Sequence, residues 1–252
     1  MRIVKYLCVA ATVTCLPISA QIAEPILAKT AIPFASGAGV VKLDYAGGIG
    51  RSGGSSQVIP EATVETGIGK GLEVLARFPL LRVMPASGGP AVIGGGELAV
   101  GARYLVAGGV ERIYAVAIQA IVEAPTGDTR LVGNATQVMP AIFADWRPAR
   151  PIVVHSDLMF DRFVGGTGPG SGFVGYGYAV VWLATTHFVP VLEFVGSTNT
   201  ITGTTQLVEQ PEVILRFGSH WELKAGLTIG LNPRTPPLGL RVQVDWFWGK
   251  WK

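Results

Sequence analysis

The chain carries only two cysteines in 252 residues, Cys8 and Cys15, both close to its start. Beyond that start, a disulfide framework and a cysteine-rich metal site are both excluded. Charge is scarce too: 15% of residues are Asp, Glu, Lys or Arg, against about 25% in an average soluble domain. The formal net charge of +3 is too small for a nucleic-acid footprint. The composition is nevertheless too apolar for a disordered chain. No apolar run after the start approaches the ~18 residues of a membrane-spanning helix. Helical periodicity is missing after Ala20, and the 34 glycines have no three-residue period, so the chain is not collagen-like.

What is present begins with a three-part leader. Arg2 and Lys5 supply a basic start, Tyr6 to Leu16 an apolar run, and Pro17-Ile18-Ser19-Ala20 ends on a small residue. This is the pattern of a secretory signal peptide over residues 1–20, with cleavage after Ala20. Cleavage would remove two of the 20 basic residues and none of the 17 acidic ones, leaving a charge of +1 and no cysteine. Residues 21–38 then read as a periplasmic N-terminal segment and residues 39–252 as one domain.

That domain reads as twelve segments with period-two alternation, separated by glycine, proline, serine and threonine. They are Gly39–Ala46, Val58–Thr66, Gly71–Phe78, Gly96–Val106, Arg112–Glu123, Thr136–Arg147, Pro151–Phe160, Phe173–Leu183, His187–Val195, Gln206–Phe217, His220–Leu231 and Leu238–Trp248. One face is apolar and the other mixes small residues with charges: Leu98, Val100, Ala102 and Tyr104 alternate with Glu97, Ala99, Gly101 and Arg103. A soluble sandwich would bury the apolar face between sheets; a membrane barrel would turn it to lipid. Alternation alone does not choose.

The connections do choose. Those after odd-numbered segments are long and those after even-numbered ones short, as in a barrel with outer loops and tight periplasmic turns. Trp146, Trp182, Trp221, Trp246, Trp248 and Trp251 all fall at the inferred periplasmic end. Indole rings favour such an interface, apolar on one side and wet on the other. The fold expected is therefore all-β: a transmembrane antiparallel up-and-down barrel of about twelve strands. Pro60, Pro140, Pro190 and Pro211 fall in or near strands, and bulges are expected there, most firmly at Pro140.

Four stretches carry a family resemblance: Glu61 to Pro79 (EATVETGIGKGLEVLARFP), Gly96 to Val106 (GELAVGARYLV), Val122 to Asp128 (VEAPTGD) and Pro190 to Gly196 (PVLEFVG). In order and spacing they resemble the bacterial family of outer-membrane transporters named for the MetA pathway of phenol degradation. The resemblance implies a β-barrel in the outer membrane of a Gram-negative bacterium, inserted by the barrel-assembly machinery. It also implies passive passage of small, hydrophobic or aromatic solutes.

Chemistry-bearing motifs are few, and neither a cofactor nor a metal is expected. Gly48 to Gly53 (GIGRSG) fits a dinucleotide-binding glycine pattern, but a strand rather than a helix follows it. Gly165 to Gly172 (GGTGPGSG) has neither lysine nor helix beside it. His155, Ser156 and Asp157 suggest a hydrolase, yet period two puts Ser156 on the face opposite the other two. His187 and His220 are expected to point inward near the periplasmic end without ligand-type partners.

The lumen-facing set expected to line a channel is Glu65, Glu73, Arg77, Glu97, Arg103, Glu123, His155, Asp157, Glu193, Glu212, Arg216, Glu222, Lys224 and Arg241. A basic side chain facing lipid at mid-membrane would cost about 2–4 kcal/mol. Cross-strand pairs such as Glu73 with Arg103 and Glu212 with Lys224 are expected. The same face carries Leu75, Met139, Phe143, Val153, Met159, Val189, Val191 and Ile214, which suits a partly plugged lumen or a route for apolar molecules. In the outer loops Arg51, Arg82, Arg130, Arg162 and Arg234 are expected to contact lipopolysaccharide phosphates. Two alternatives stand beside a channel. A lipid-acting barrel enzyme would need a hydroxyl in reach of a histidine, and a closed structural barrel would be electrically silent.

Overall fold

The computed structural model describes residues 27–49, 55–84, 90–131, 134–165 and 172–249, with backbone alone at 55–59 and 82–84. The leader at 1–20, Arg51, the side chain of Arg82, and Trp251 lie outside the described residues.

Thirteen strand segments form twelve staves of one closed antiparallel barrel. They are β1 (Gly39–Ile49), β2 (Ser55–Gly69), β3 (Leu72–Met84), β4 (Val92–Gly95), β5 (Leu98–Gly108), β6 (Tyr114–Ala124), β7 (Thr136–Ala149), β8 (Ile152–Val164), β9 (Gly172–Trp182), β10 (Phe188–Asn199), β11 (Thr205–Phe217), β12 (Trp221–Gly230) and β13 (Leu238–Trp248). Each stave pairs with the next, and β1 closes on β13 from Gly39↔Trp248 to Ile49↔Leu238. β4 and β5 make one stave: both pair with β3, β4 opposite Leu80–Val83 and β5 opposite Leu72–Arg77. Closure leaves no edge strand to template aggregation.

The apolar face is outside. On β5 Leu98, Val100, Tyr104 and Val106 are exposed while Ala99 and Arg103 are buried; on β12 Trp221 and Leu227 are exposed while Glu222 and Lys224 are buried. A water-soluble sandwich would show the reverse. Trp146, Trp182, Trp221 and Trp246 are exposed at one end, with Tyr104, Tyr114, Phe188 and Phe217 beside them. Phe78, Phe160, Tyr176 and Phe194 are exposed nearer the other end. An apolar band between two aromatic girdles is the surface of a membrane-spanning barrel.

Turn chemistry fixes the tight end. Between β2 and β3, Lys70 (φ 53°) and Gly71 (φ 75°) both have positive φ, the requirement of a two-residue type I′ hairpin. At the other end the strands run further than the alternation indicates. β3 reaches Met84 rather than Phe78, and β8 reaches Val164 rather than Phe160. The outer connections are correspondingly shorter than expected. Gly48 and Ile49 end β1, the rest of the first glycine pattern lies outside the described residues, and the next described element is a strand from Ser55.

The prolines divide. Around Pro60 the register shifts on both flanks, between Asp44 and Ala46 and between Val58 and Glu61, a bulge as expected. At Pro140 the expected bulge is absent. Val138↔Arg162 and Ala141↔Met159 keep one register, and only the two pairings between them are missing. On the other side Pro140 stays in line with Ala120. The ring lacks a donor on one side only, so pairing lapses there without adding a residue. Met139, Ala141, Phe143 and Asp145 therefore stay in phase, all buried inside.

The Val122–Asp128 motif explains the gap in the fourth stave. Leu98 N donates to Thr126 Oγ1 (3.0 Å), Asp128 N donates to Gly95 O (2.8 Å), and Gly96 N donates to Pro79 O (2.7 Å). The Asp128 carboxylate lies on Gly94, where a Cβ would come within 2.6 Å of it, and binds the Arg130 guanidinium. Its hydrogen bond from Arg130 holds the Asp128 carboxyl down at about 2. A depressed folded pKa means that this clamp is complete above the ordinary carboxylate range and fades only as pH falls through about 2. An NMR titration of Asp128 Cγ should place its midpoint there, and Arg130→Ala should move it back toward the ordinary range.

Candidate functional site

Where an extended peptide inside a barrel does not pair with the wall sheet, its backbone donors need acceptors from side chains. The segment 27–38, read from the sequence as periplasmic, is found here: Ala28, Thr30, Ala31, Ile32 and Ala38 are all buried. Near the aromatic end it is tied to β2, with Gly37 N donating to Gly67 O and Gly67 N to Ala38 O, each at 2.9 Å. Only glycine allows that approach, since a Cβ at Gly67 would lie 2.1 Å from Phe34 O. From there the segment crosses the lumen on a series of carboxylates. Phe34 N donates to Glu73 Oε2 (2.9 Å), Ala31 N to Asp145 Oδ1 (2.9 Å) and Thr30 Oγ1 to Asp145 Oδ2 (2.7 Å). Leu27 N and Ala28 N both reach Glu193 Oε2 (2.9 and 2.6 Å), and Asp157 accepts from the Lys29 backbone. Arg103 Nη1 donates to Thr30 O at 2.7 Å. The segment is a plug, and the carboxylates that take up its N–H groups are part of the acid excess of the lumen.

The apolar inward positions are its socket. Ala28 packs with Val153, Ala179, Val181, Val189, Val191 and Ile214. Ala31 and Ile32 pack with Ala115, Ala117, Ala141 and Phe143, with Met159 against the same cluster. Leu75 and Met139 belong to a third cluster with Ala99 and Ile121.

All fourteen expected lumen residues are buried or half-buried on the inner face. Most are paired. Glu73 meets Arg103 as expected, at 2.6 Å, with Glu65 at 3.8 Å from the same guanidinium. Glu65 also takes Lys42 at 2.9 Å, Arg77 binds Glu123, Arg216 binds Glu222 at 2.8 Å, and Arg241 binds Asp44 at 2.5 Å. The register sets Gly226 opposite Glu212 and Ile214 opposite Lys224, so the expected Glu212–Lys224 match is displaced. Lys224 Nζ sits 2.8 Å from Asp245 and 3.9 Å from Glu222. Gln210, fully buried, donates to Glu193 at 2.9 Å and to Glu212 at 3.3 Å.

The histidines divide as well. His155 is fully buried with Nδ1 2.7 Å from Asp145, while its Nε2 has no partner among the described residues. The Thr30 hydroxyl goes to the other oxygen of Asp145 instead, so no nucleophile–base pair is formed there. His187 and His220, expected to point inward, are exposed in turns and bonded to the carbonyls of Arg216 and Phe247. The ends of β10 and β12 place them beyond the last inward position. Among the described residues no group of three or more His, Cys, Asp or Glu side chains is arranged for a metal.

Among the described residues, Glu97 Oε1 and Asp161 Oδ1 are buried without a hydrogen-bond partner, as are single oxygens of Asp44, Glu65, Asp157 and Asp245. Asp161 falls one residue past the expected segment Pro151–Phe160, yet it continues the inward alternation of His155, Asp157 and Met159 by one step. Here, where β7 and β8 lose two pairings, a cleft of about 870 Å³ enters the wall. Val138, Pro140, Phe160 and Val164 line it from the outward face, Asp161, Phe163 and Phe173 from the inward face. The Phe163 and Phe173 rings meet edge-on at 6.5 Å. Of the expected lipopolysaccharide-contacting arginines, Arg162 and Arg234 are exposed at this end, and Arg130 is bound to Asp128.

Comparison with solved structures supports the fold. The chain is similar to the COG4313 outer membrane channel from Pseudomonas putida F1, with TM-score 0.67 and 13% identity over 90% of this chain and 100% of that one. It is also similar to the NanC porin (TM-score 0.58, 9% identity, 84% of this chain and 99% of that one). For the KdgM porin the values are TM-score 0.56 and 10% identity, over 83% of this chain and 100% of that one. No protein-family model matches the chain, and no curated protein does.

Proposed function

We propose that this barrel is a passive channel in the outer membrane of a Gram-negative bacterium, admitting small solutes that include apolar and aromatic ones. The observation that carries the reading is the apolar cleft at Pro140. Unpaired backbone is tolerated at membrane depth only where it lines a cavity or is covered by protein. Here the unpaired stretch joins outward-facing Phe160 and Pro140 to inward-facing Phe163 and Phe173. The likeness in fold to outer membrane channels and porins supports passage, and the plug would set how freely it occurs. The enzyme reading gains nothing from the buried Asp145–His155 pair, since the Thr30 hydroxyl donates to the carboxylate and not to the imidazole.

The test is uptake of labelled toluene by cells of a Gram-negative host with and without the chain. Uptake should rise with the chain and fall back when Val138→Trp fills the cleft. Equal uptake with and without the chain would reject the function.

A further inference from the structure

The periplasmic rim carries bases without matching acids. Among the described residues its tight turns hold Lys70, Arg112 and Arg150, all exposed, against the single acid Glu111. Arg112 and Arg150 belong to neighbouring turns that are tied together. Arg147, near the end of β7, donates from its backbone N to Ile113 O at 2.8 Å. Its Nη1 donates to Gly109 O (3.1 Å), Val110 O (3.3 Å) and Arg112 O (2.7 Å). These bonds hold the β5–β6 turn, residues 109–113, against the stave whose own turn has Arg150 at its tip, between the paired Ala149 and Ile152. Carbonyls carry no charge, so the Arg147 cation is left without a counter-charge, and its Nη2 has no hydrogen-bond partner among the described residues. Three arginines against Glu111 leave this corner positive.

The same corner exposes apolar surface. Ile113 lies in the turn itself and is 68% exposed. Tyr114 and Trp146 are directly opposite each other across β6 and β7, both exposed on the outward face, as is Ile152 at the start of β8. In open water, or against a polar polymer such as peptidoglycan, Ile113 would stay uncovered; among lipid headgroups it is covered. Bases set beside apolar side chains at the edge of an aromatic girdle match the place where a bilayer changes from acyl chain to phosphate.

We infer that this corner binds an anionic phospholipid of the inner leaflet, its phosphodiester taken by Arg112 and Arg150 and its acyl chain by Ile113, Tyr114 and Trp146. A guanidinium offers two parallel N–H groups to one phosphate. Arg147, already fixed by the turn carbonyls, adds its charge without having to be ordered on binding. A zwitterionic lipid brings a cation of its own to the same place and is held less well. The site is independent of the passage reading: it lies on the outside of the barrel, at the end opposite the Pro140 cleft.

The whole protein is folded into dioleoylphosphatidylcholine vesicles that contain phosphatidylglycerol with brominated acyl chains, or brominated phosphatidylcholine at the same level. Bromine quenches tryptophan emission on contact, and the difference between the parent and Trp146→Phe isolates the share of Trp146. That share should be quenched at about tenfold less phosphatidylglycerol than phosphatidylcholine, the scale of one or two basic residues at an anionic surface. The double variant Arg112→Gln, Arg150→Gln should bring the two lipids level, with heat-modifiable gel mobility checking that it is folded. Arg162→Gln, Arg234→Gln, at the outer end, should keep the preference. Equal quenching by the two lipids in the parent would overturn the site, as would a preference that survives in the first double variant or disappears in the second. Co-sedimentation of the parent with purified peptidoglycan sacculi, lost in Arg112→Gln, Arg150→Gln and unaccompanied by any lipid preference, would give the corner to that polymer and overturn the lipid assignment.

Discussion

Deletion of residues 27–36 is expected to raise single-channel conductance severalfold in planar bilayers. The segment lies across the lumen and is held by Glu193, Asp145 and Glu73 through hydrogen bonds of 2.6 to 2.9 Å. Each of those acceptors would be solvated once the segment is gone, so the barrel wall should persist. Its own interstrand hydrogen bonds do not pass through the plug. Asp145→Ala should have a smaller effect in the same direction. It removes the acceptor of both Ala31 N and Thr30 Oγ1 while Glu73 and Glu193 keep the two ends. Identical conductance in the deleted and parent proteins would mean that the segment does not limit the passage.

Replacing Arg103 by alanine should cost about 3–5 kcal/mol of barrel stability, the usual penalty for stranding one half of a buried ion pair. Arg103 is 2% exposed, pairs with Glu73 at 2.6 Å, donates to Thr30 O at 2.7 Å and lies 5.9 Å from the centre of the Phe143 ring. Alanine would take the guanidinium from the fully buried Glu73, whose Oε2 still accepts from Phe34 N, and would leave Glu65 with Lys42. The double variant Arg103→Met, Glu73→Leu should recover part of the loss, because two apolar side chains of similar volume replace a desolvated pair. Urea unfolding in lipid vesicles reads both. A single variant within experimental error of the parent would show that water reaches this part of the lumen and screens it.

The two faces of the wall were legible without coordinates because alternation is local, and the long and short connections with the tryptophans then told which face meets lipid. A strand repeats its two faces every second residue, so Glu97, Ala99 and Arg103 against Leu98, Val100 and Tyr104 state which groups must part. Closure follows, since an apolar outer face in lipid tolerates no unpaired edge. The tryptophans marked one end for the same reason: Trp146, Trp182, Trp221, Trp246 and Trp248 sit at or near the ends of strands whose direction is set by their neighbours. Fourteen inward side chains could be named on this basis, and Glu73 with Arg103 could be matched across one hairpin.

The plug could not be read in this way. Residues 27–38 have no periodicity of their own, and their partners lie up to 166 positions away. Their role exists only once Glu73, Asp145 and Glu193 have been brought round one lumen by closure of β1 on β13. Proline chemistry foretold a disturbance at Pro140, but not its form. Whether a missing donor becomes a bulge or a gap depends on whether the flanking pairs can hold register, and Val138↔Arg162 and Ala141↔Met159 do. From sequence alone came the wall, from a two-residue repeat, and its polarity and two ends, from the connection lengths and the tryptophans beside lipid. The tertiary structure alone decided what fills the lumen and where the wall opens, because those depend on which distant residues face one another across it.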